Sequence, residues 1–86
     1  MGKKVAIKKS IKDKDILDPR ITNVGKRLRE LRTKKGYTSF EKFAFDNDLS
    51  RVGYGEHEKG KNMTLGSLLR ILDIHKISME EFFKGL

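Results

Sequence analysis

Three side chains between residues 50 and 58 carry groups of the kinds that recognise nucleotide bases. The guanidinium of Arg51 can donate two parallel hydrogen bonds to O6 and N7 of guanine, Val52 can pack on a thymine methyl, and Glu56 can accept from N4 of cytosine. Each has a simpler alternative: a phosphate contact or solvation for Arg51, packing against the preceding helix for Val52, and a solvated charge for Glu56. The residues alone leave these alternatives open.

No combination of residues is typical of an active site. The sequence contains no evident pair of nucleophile and base, no paired carboxylates in a pocket and no glycine-rich phosphate loop. It has no cysteine, which excludes a disulfide framework and a cysteine-ligated metal or redox site. The tripeptide from Glu56 to Glu58, with His57 between them, is too short to indicate a metal site. We therefore expect no catalytic residues, no metal and no cofactor.

The positive charge of the chain is concentrated in its first third. Of the net charge of +8 over 86 residues, residues 1 to 35 contribute +9 (13 basic and 4 acidic) and residues 36 to 86 contribute −1 (7 basic and 8 acidic). Such basicity indicates an anionic partner, with nucleic acid ahead of a membrane surface. Residues 1 to 18, with six lysines, are predicted to form a flexible basic arm outside a single domain of residues 19 to 86. The arm is either a solvated tail or a contact for DNA phosphates.

Two amphipathic helices are predicted from apolar residues that recur at steps of three and four. The first begins at Pro19, is capped by Asp18 and ends near Gly36. The other begins after Thr64, and its apolar stripe is expected in the core. The two stripes consist of Ile21, Val24, Leu28 and Leu31, and of Leu65, Leu68, Leu69 and Leu72.

Three shorter helices are predicted from capping residues. Thr38 and Glu41 have the spacing of a capping box, and a second helix starts there. A third follows after a few turn-forming residues, from its cap Ser50 to about Glu58. Ser78 opens another capping box ahead of the fifth. The sequence therefore predicts an all-α fold of five helices.

The short second and third helices, joined by a tight turn, resemble the helix-turn-helix of the lambda-repressor-like (XRE-type) DNA-binding domain. The resemblance covers about residues 24 to 83. Ala44 matches the small residue where the two helices cross, and Tyr54 matches the inward apolar residue of the third helix. Asp48 occupies the turn position, where the family usually has glycine, but Asp tolerates the left-handed conformation. Asn47 departs from the usual leucine.

The resemblance implies roles for the third helix and its surroundings. Its N-terminal end would meet base edges, which makes Arg51, Val52 and Gly53 the first candidates, with Glu56 one turn later. Gly53 and Gly55 each cost about 0.8 to 1.0 kcal/mol relative to Ala in a helix interior. Both are predicted to lie outward or to the sides, where a missing side chain lets the helix backbone approach DNA or phosphate closely. The alternative is that packing holds this short helix in spite of the glycines.

Two structural roles also follow from the resemblance. Arg32 and Glu58 match two family positions, one on the first helix and one at the end of the third. They are expected to form a partly buried ion pair that links these helices. His57 stands where the family usually has an aliphatic residue. We expect it to be half-buried with its hydrogen bonds satisfied, in neither a sensing nor a ligating role.

Phosphate contacts are expected on both sides of the third helix. The hydroxyl of Ser50 and the backbone N–H groups that follow it can hold an anion. The resemblance adds Ser39, near the family's phosphate-binding glutamine, and the loop residues Lys59, Lys61 and Asn62. Lys61 and Asn62 are alternatively ordinary turn residues.

The resemblance implies a sequence-specific regulator of transcription whose partners are double-stranded DNA and a second copy of the chain. One reader helix covers few base pairs, so a two-fold homodimer on a pseudo-palindrome is expected. Phe82, Phe83 and Leu86, or alternatively the apolar face of the arm, are candidates for the dimer contact, with core packing as the alternative for both phenylalanines. The chain beyond the arm leaves no room for a separate ligand domain, and no small-molecule effector is expected.

Two other classes of function remain. A protein-interaction or antitoxin-like module on the same fold is favoured by the −1 net charge of residues 36 to 86 and by the lack of Lys or Arg between Arg51 and Lys59. An RNA or anionic-membrane binder would rest on the lysine arm. No apolar run approaches the roughly 20 residues of a membrane span, and the N-terminus has no apolar stretch of secretory type, so a cytoplasmic protein is expected.

Overall fold

The computed structural model describes residues 18–86. Its helices are α1 (Pro19–Lys34), α2 (Phe40–Asp46), α3 (Arg51–Glu58), α4 (Leu65–His75) and α5 (Met79–Lys84). Residues 18–86 contain no strand, which confirms the predicted all-α fold of five helices. None of the helices in this range is long and apolar enough to cross a membrane. The predicted basic arm lies outside the described residues except for Asp18.

Each helix begins after a residue whose side chain accepts a hydrogen bond from a free backbone N–H group of the first turn. Four of these caps agree with the predicted starts. For α2, the prediction of Thr38 was wrong, because Ser39 Oγ accepts from the N–H of Lys42 at 3.1 Å and Thr38 lies one residue too early. The complete set of caps is Asp18, Ser39, Ser50, Thr64 and Ser78.

Four helices end in the same backbone turn, in which a left-handed residue lets two N–H groups bond back to the last carbonyls. At the end of α3, the N–H of Lys61 donates to the carbonyl of Glu56 at 3.1 Å, and the N–H of Gly60 donates to that of His57 at 3.0 Å. Asp48 adopts the predicted left-handed conformation between α2 and α3. The left-handed residues are Gly36, Asp48, Gly60 and Lys76, with φ between 56° and 103°.

The core receives large apolar side chains from all five helices. The prediction that Leu65 and Leu69 belong to it was wrong, since Leu65 is 59% exposed and Leu69 is exposed as well. Leu69 lies about 100° around the helix axis from Leu68, outside the inward side of α4, and Leu65 is the first residue of this helix. The largest buried side chains are Leu28, Phe43, Tyr54, Ile71, Leu72 and Phe82.

α3 is held between α1 and α2 through two close approaches at glycine. A Cβ on Gly25 of α1 would lie 2.6 Å from the carbonyl oxygens of both His57 and Glu58. On the other side, the ring of Phe40 in α2 covers Gly55, where a Cβ would lie 2.7 Å from Cε1 of the ring. The absence of two side chains therefore sets how closely α3 packs against its neighbours.

Candidate nucleic-acid interface

α3 turns Tyr54 into the core and leaves its first residues in solvent. Tyr54 is buried, with its ring centroid 5.0 Å from that of Phe43, and burial raises the pKa of its hydroxyl. Arg51 is exposed, and Val52 is 76% exposed, so Val52 does not pack against the preceding helix. Both side chains are free to contact a ligand that lies along α3.

The two glycines of α3 have different surroundings. Gly53 is half-buried, and a Cβ there would lie 3.3 Å from Ser50 Oγ. Gly55 is buried beneath Phe40, so its prediction as a position that lets DNA approach was wrong and the packing alternative agrees with the structure. The missing side chain at Gly55 admits the ring of Phe40 from α2.

Arg32 and Glu58 form a buried ion pair between α1 and the last residue of α3. Arg32 Nε donates to Glu58 Oε2 at 2.7 Å, and Nη2 donates to Oε1 at 3.0 Å. The two side chains are only 6% and 9% exposed. Nη1 donates to the carbonyl of Tyr37 at 2.9 Å, and the Glu58 bond raises the pKa of Arg32. The charges are thus matched, and the end of α3 is fixed to α1.

Ser39 and Lys59, both predicted to contact phosphate, line one cleft although they are far apart in sequence. Thr38 and Arg29 of α1 line the same cleft. Arg29 and Lys59 are exposed, so two positive charges lie beside the hydroxyl groups of Thr38 and Ser39. Glu41 adds an acidic side chain to the lining of this cleft. Sequence reasoning missed Arg29, whose only signal is its place on the polar side of α1.

Glu56 and Lys61 contact each other directly. Lys61 Nζ lies 3.2 Å from Glu56 Oε1, so a residue predicted to read a base is paired with one predicted to hold a phosphate. Asn62 is exposed in the loop that follows. Ser50 is exposed at the other end of α3, where its Oγ accepts from the N–H of Gly53 at 3.1 Å and keeps its own hydrogen free to donate.

A cavity separates α3 from α4, and His57 lies in its wall. His57 is half-buried as predicted, but the expectation of satisfied hydrogen bonds was wrong: its Nδ1 is buried with no partner among residues 18–86. Burial lowers the pKa of this imidazole. Arg70 of α4, also in the wall, donates from Nη2 to the carbonyl of Asp48 at 2.9 Å and supports the turn before α3. The residues that carry the helix-turn-helix resemblance give no indication of this hydrogen bond from Arg70.

The crystal structure of the restriction-modification controller protein C.AhdI from Aeromonas hydrophila is similar to this chain. The two are 37% identical, the match covers 77% of this chain and 100% of C.AhdI, and the TM-score is 0.67. No protein-family model and no curated protein matches. The fold, the helix-turn-helix and this identity define the class: the chain belongs to the lambda-repressor-like (XRE-type) helix-turn-helix family of DNA-binding domains.

Proposed function

We propose that the protein is a repressor-like regulator of transcription that binds a specific double-stranded DNA sequence with α3 in the major groove. C.AhdI is a restriction-modification controller protein, which supports a controlling role here. The observation that carries the proposal is the exposure of Arg51 and Val52 in the first turn of a helix whose last residue, Glu58, is fixed to α1. A rigid helix with free side chains at its leading end suits base readout.

Base recognition is assigned to the exposed side of α3. Arg51 would donate a fork of hydrogen bonds to guanine, Val52 would contact a thymine methyl, and Glu56 would accept from a base amino group. Gly53 has no side chain to interfere between Arg51 and Glu56. The −1 net charge of residues 36 to 86 means that this surface contributes selectivity more than general attraction to DNA.

Phosphate contacts are assigned to both sides of α3. On one side, the cleft lined by Ser39, Lys59 and Arg29 combines hydroxyl donors with two exposed cations. On the other side, Ser50 precedes α3, and Lys61 and Asn62 follow it. Contacts of this kind fix the register of the protein on DNA and carry no sequence information by themselves.

The basic arm, residues 1 to 18, is assigned to the DNA backbone as well. Removal of residues 1 to 14 takes away six lysines. If all six meet phosphates, the slope of log affinity against log salt concentration becomes shallower by up to about five. An unchanged slope would remove the arm from the binding surface while leaving the role of α3 intact.

A homodimer is proposed because one reader helix covers only a few base pairs. Phe82 is buried and belongs to the core, but Phe83 and Leu86 are exposed and line an apolar groove with Ile21 and Val24. In a two-fold dimer the same groove is used by both copies. Phe83→Asp is expected to give a monomer in sedimentation equilibrium; a monomeric parent protein, or a dimeric variant, would contradict this surface.

The proposed function is tested by selection from random-sequence DNA duplexes at near-physiological salt. A shared pseudo-palindromic sequence, with half-sites about one helical turn apart, is expected among the bound duplexes. Binding to this duplex should exceed binding to a scrambled one by at least about a thousandfold. Equal binding to all sequences would refute specific recognition.

A protein-interaction or antitoxin-like module is the second candidate. The observation that favours it is the exposure of two large apolar side chains, Phe45 on α2 and Val52 on α3. If the selection enriches no sequence, this alternative replaces the proposal. It predicts that Phe45→Ser and Val52→Ser abolish binding of a protein partner while weak binding to DNA is unchanged.

A further inference from the structure

We infer that Glu56 and Lys61 form a latch that couples base recognition to a phosphate contact. Lys61 stays on Glu56 until an amino group of a DNA base takes its place, and only then binds a phosphate. The inference rests on the proposed function and gives Lys61 a part in selectivity, beyond general attraction to DNA.

The backbone turn after α3 holds the two residues together. The N–H of Lys61 donates to the carbonyl of Glu56 at 3.1 Å, and Lys61 Nζ lies 3.2 Å from Oε1 of the same residue. Between them, Gly60 has φ of +91°, and a Cβ there would lie only 2.8 Å from Cα of Thr22 in α1. Because this turn is packed on α1, the start of the lysine side chain is fixed beside the carboxylate.

The ion pair between Lys61 and Glu56 can open at a small cost in free energy. The side chains of Lys61 and Glu56 are 48% and 36% exposed, so both remain accessible to a ligand. Ion pairs of this exposure change an equilibrium by up to about fivefold. The latch therefore modulates binding and does not block it.

The chemistry of the bases decides whether the latch opens. A carboxylate in the major groove accepts from an amino group, such as N4 of cytosine, and this bond replaces the one from Lys61. Guanine O6 and N7 and thymine O4 are acceptors, which repel the carboxylate and leave Lys61 as its partner. Lys61 is thus released for a phosphate only where an amino group faces Glu56.

Lys59 provides the matched control. It is exposed, and residues 18–86 offer it no carboxylate within ion-pair distance. Its contact with phosphate should therefore be independent of the base that faces Glu56. Lys61→Met and Lys59→Met both remove one charge and retain an apolar side chain of similar length.

The experiment measures the affinity and salt dependence of parent and variant proteins for the preferred duplex and for every single-base change in one half-site. Lys61→Met should reduce the salt slope by about one on duplexes with an amino group at one particular base position. On duplexes with guanine or thymine at that position, which present no amino group in the major groove, it should have no effect. Lys59→Met should weaken binding to all duplexes alike.

Glu56→Gln completes the test because it removes the acceptor charge that holds Lys61. On duplexes lacking the amino group, it should tighten binding by up to about fivefold and steepen the salt slope by about one. In a Lys61→Met background both effects should disappear. If Glu56→Gln tightens binding equally in both backgrounds, simple repulsion between Glu56 and phosphate explains the data and the latch is refuted.

The outcomes separate the latch from the proposed function. If the parent protein prefers one sequence but Lys61→Met weakens all duplexes by the same factor, the latch fails and the proposed function stands. If no duplex is preferred, both fail.

Discussion

Arg32 and Glu58 lie 2.7 Å apart in a bidentate ion pair that joins α1 to the last residue of α3. The remaining Nη1 of Arg32 donates to the carbonyl of Tyr37, so the buried charges are balanced and bonded. Because Glu58 ends α3, this pair fixes the direction of the helix that carries Arg51 and Val52.

Loss of one member of this pair should be strongly destabilising. Arg32→Met leaves the Glu58 carboxylate buried without its partner, and the free energy of unfolding in urea should fall by about 3 to 5 kcal/mol. Replacement of both residues, Arg32→Met with Glu58→Leu, should recover most of this loss. Lys42→Met, which breaks the exposed pair with Asp46, should leave the unfolding midpoint nearly unchanged. A single variant as stable as the parent would contradict the buried pair.

Gly55 should not tolerate a larger residue. A Cβ there would lie 2.7 Å from the Phe40 ring, and Gly55→Ala should lower the free energy of unfolding by about 1 to 3 kcal/mol. In a Phe40→Ala background the substitution should do much less harm. Gly66→Ala is the control, since a Cβ there meets nothing nearer than 4.0 Å in α4, and it should stabilise by up to about 1 kcal/mol. Equal effects at both glycines would contradict the packing described.

The protein should lose stability as the pH falls below about 6.5. Burial lowers the pKa of His57 from 6.5, and burial together with nearby Lys35 lowers that of His75, which stacks on Phe43. Between the unfolded and folded pKa values the unfolded chain binds more protons, so acidification favours unfolding. The free energy of unfolding should be lower at about pH 5.5 than at about pH 7.5. Replacement of both histidines by asparagine should reduce this difference; an unchanged difference would assign it to other groups.

Replacement of Asp48 or Lys76 by glycine should stabilise the protein. Their φ angles of 58° and 56° are unfavourable for residues with a Cβ. Asp48→Gly and Lys76→Gly should each raise the free energy of unfolding by about 0.5 to 1 kcal/mol, because the lost strain exceeds the added chain entropy. The bond from Arg70 to the Asp48 carbonyl involves the backbone and survives. Destabilisation by both substitutions would contradict the left-handed turns.

Most of the fold was predictable because its signals are local. A capping side chain and a left-handed glycine act within one helical turn, so Asp18, Ser50 and Gly36 mark helix ends in the sequence itself. The errors at Leu65 and Leu69 have a different origin. Their spacing is the same as that of buried leucines, and only the neighbouring helices determine which side of α4 is covered.

The candidate site was less predictable because several of its features join distant parts of the chain. The contact of Phe40 with Gly55 and the entry of Arg29 into the cleft with Ser39 and Lys59 depend on how three helices pack. Arg51 and Val52 could be nominated because the resemblance places the N-terminal end of the third helix at base edges, and this needs only their position in the sequence.

The most direct test of base recognition by α3 is the effect of Arg51→Ala on the difference in binding free energy between the preferred and a scrambled duplex. The variant should reduce this difference by about 1 to 3 kcal/mol, because only the preferred duplex accepts the guanidinium fork. Lys59→Ala should weaken both duplexes equally. An equal loss on both duplexes for Arg51→Ala would contradict its role in reading bases.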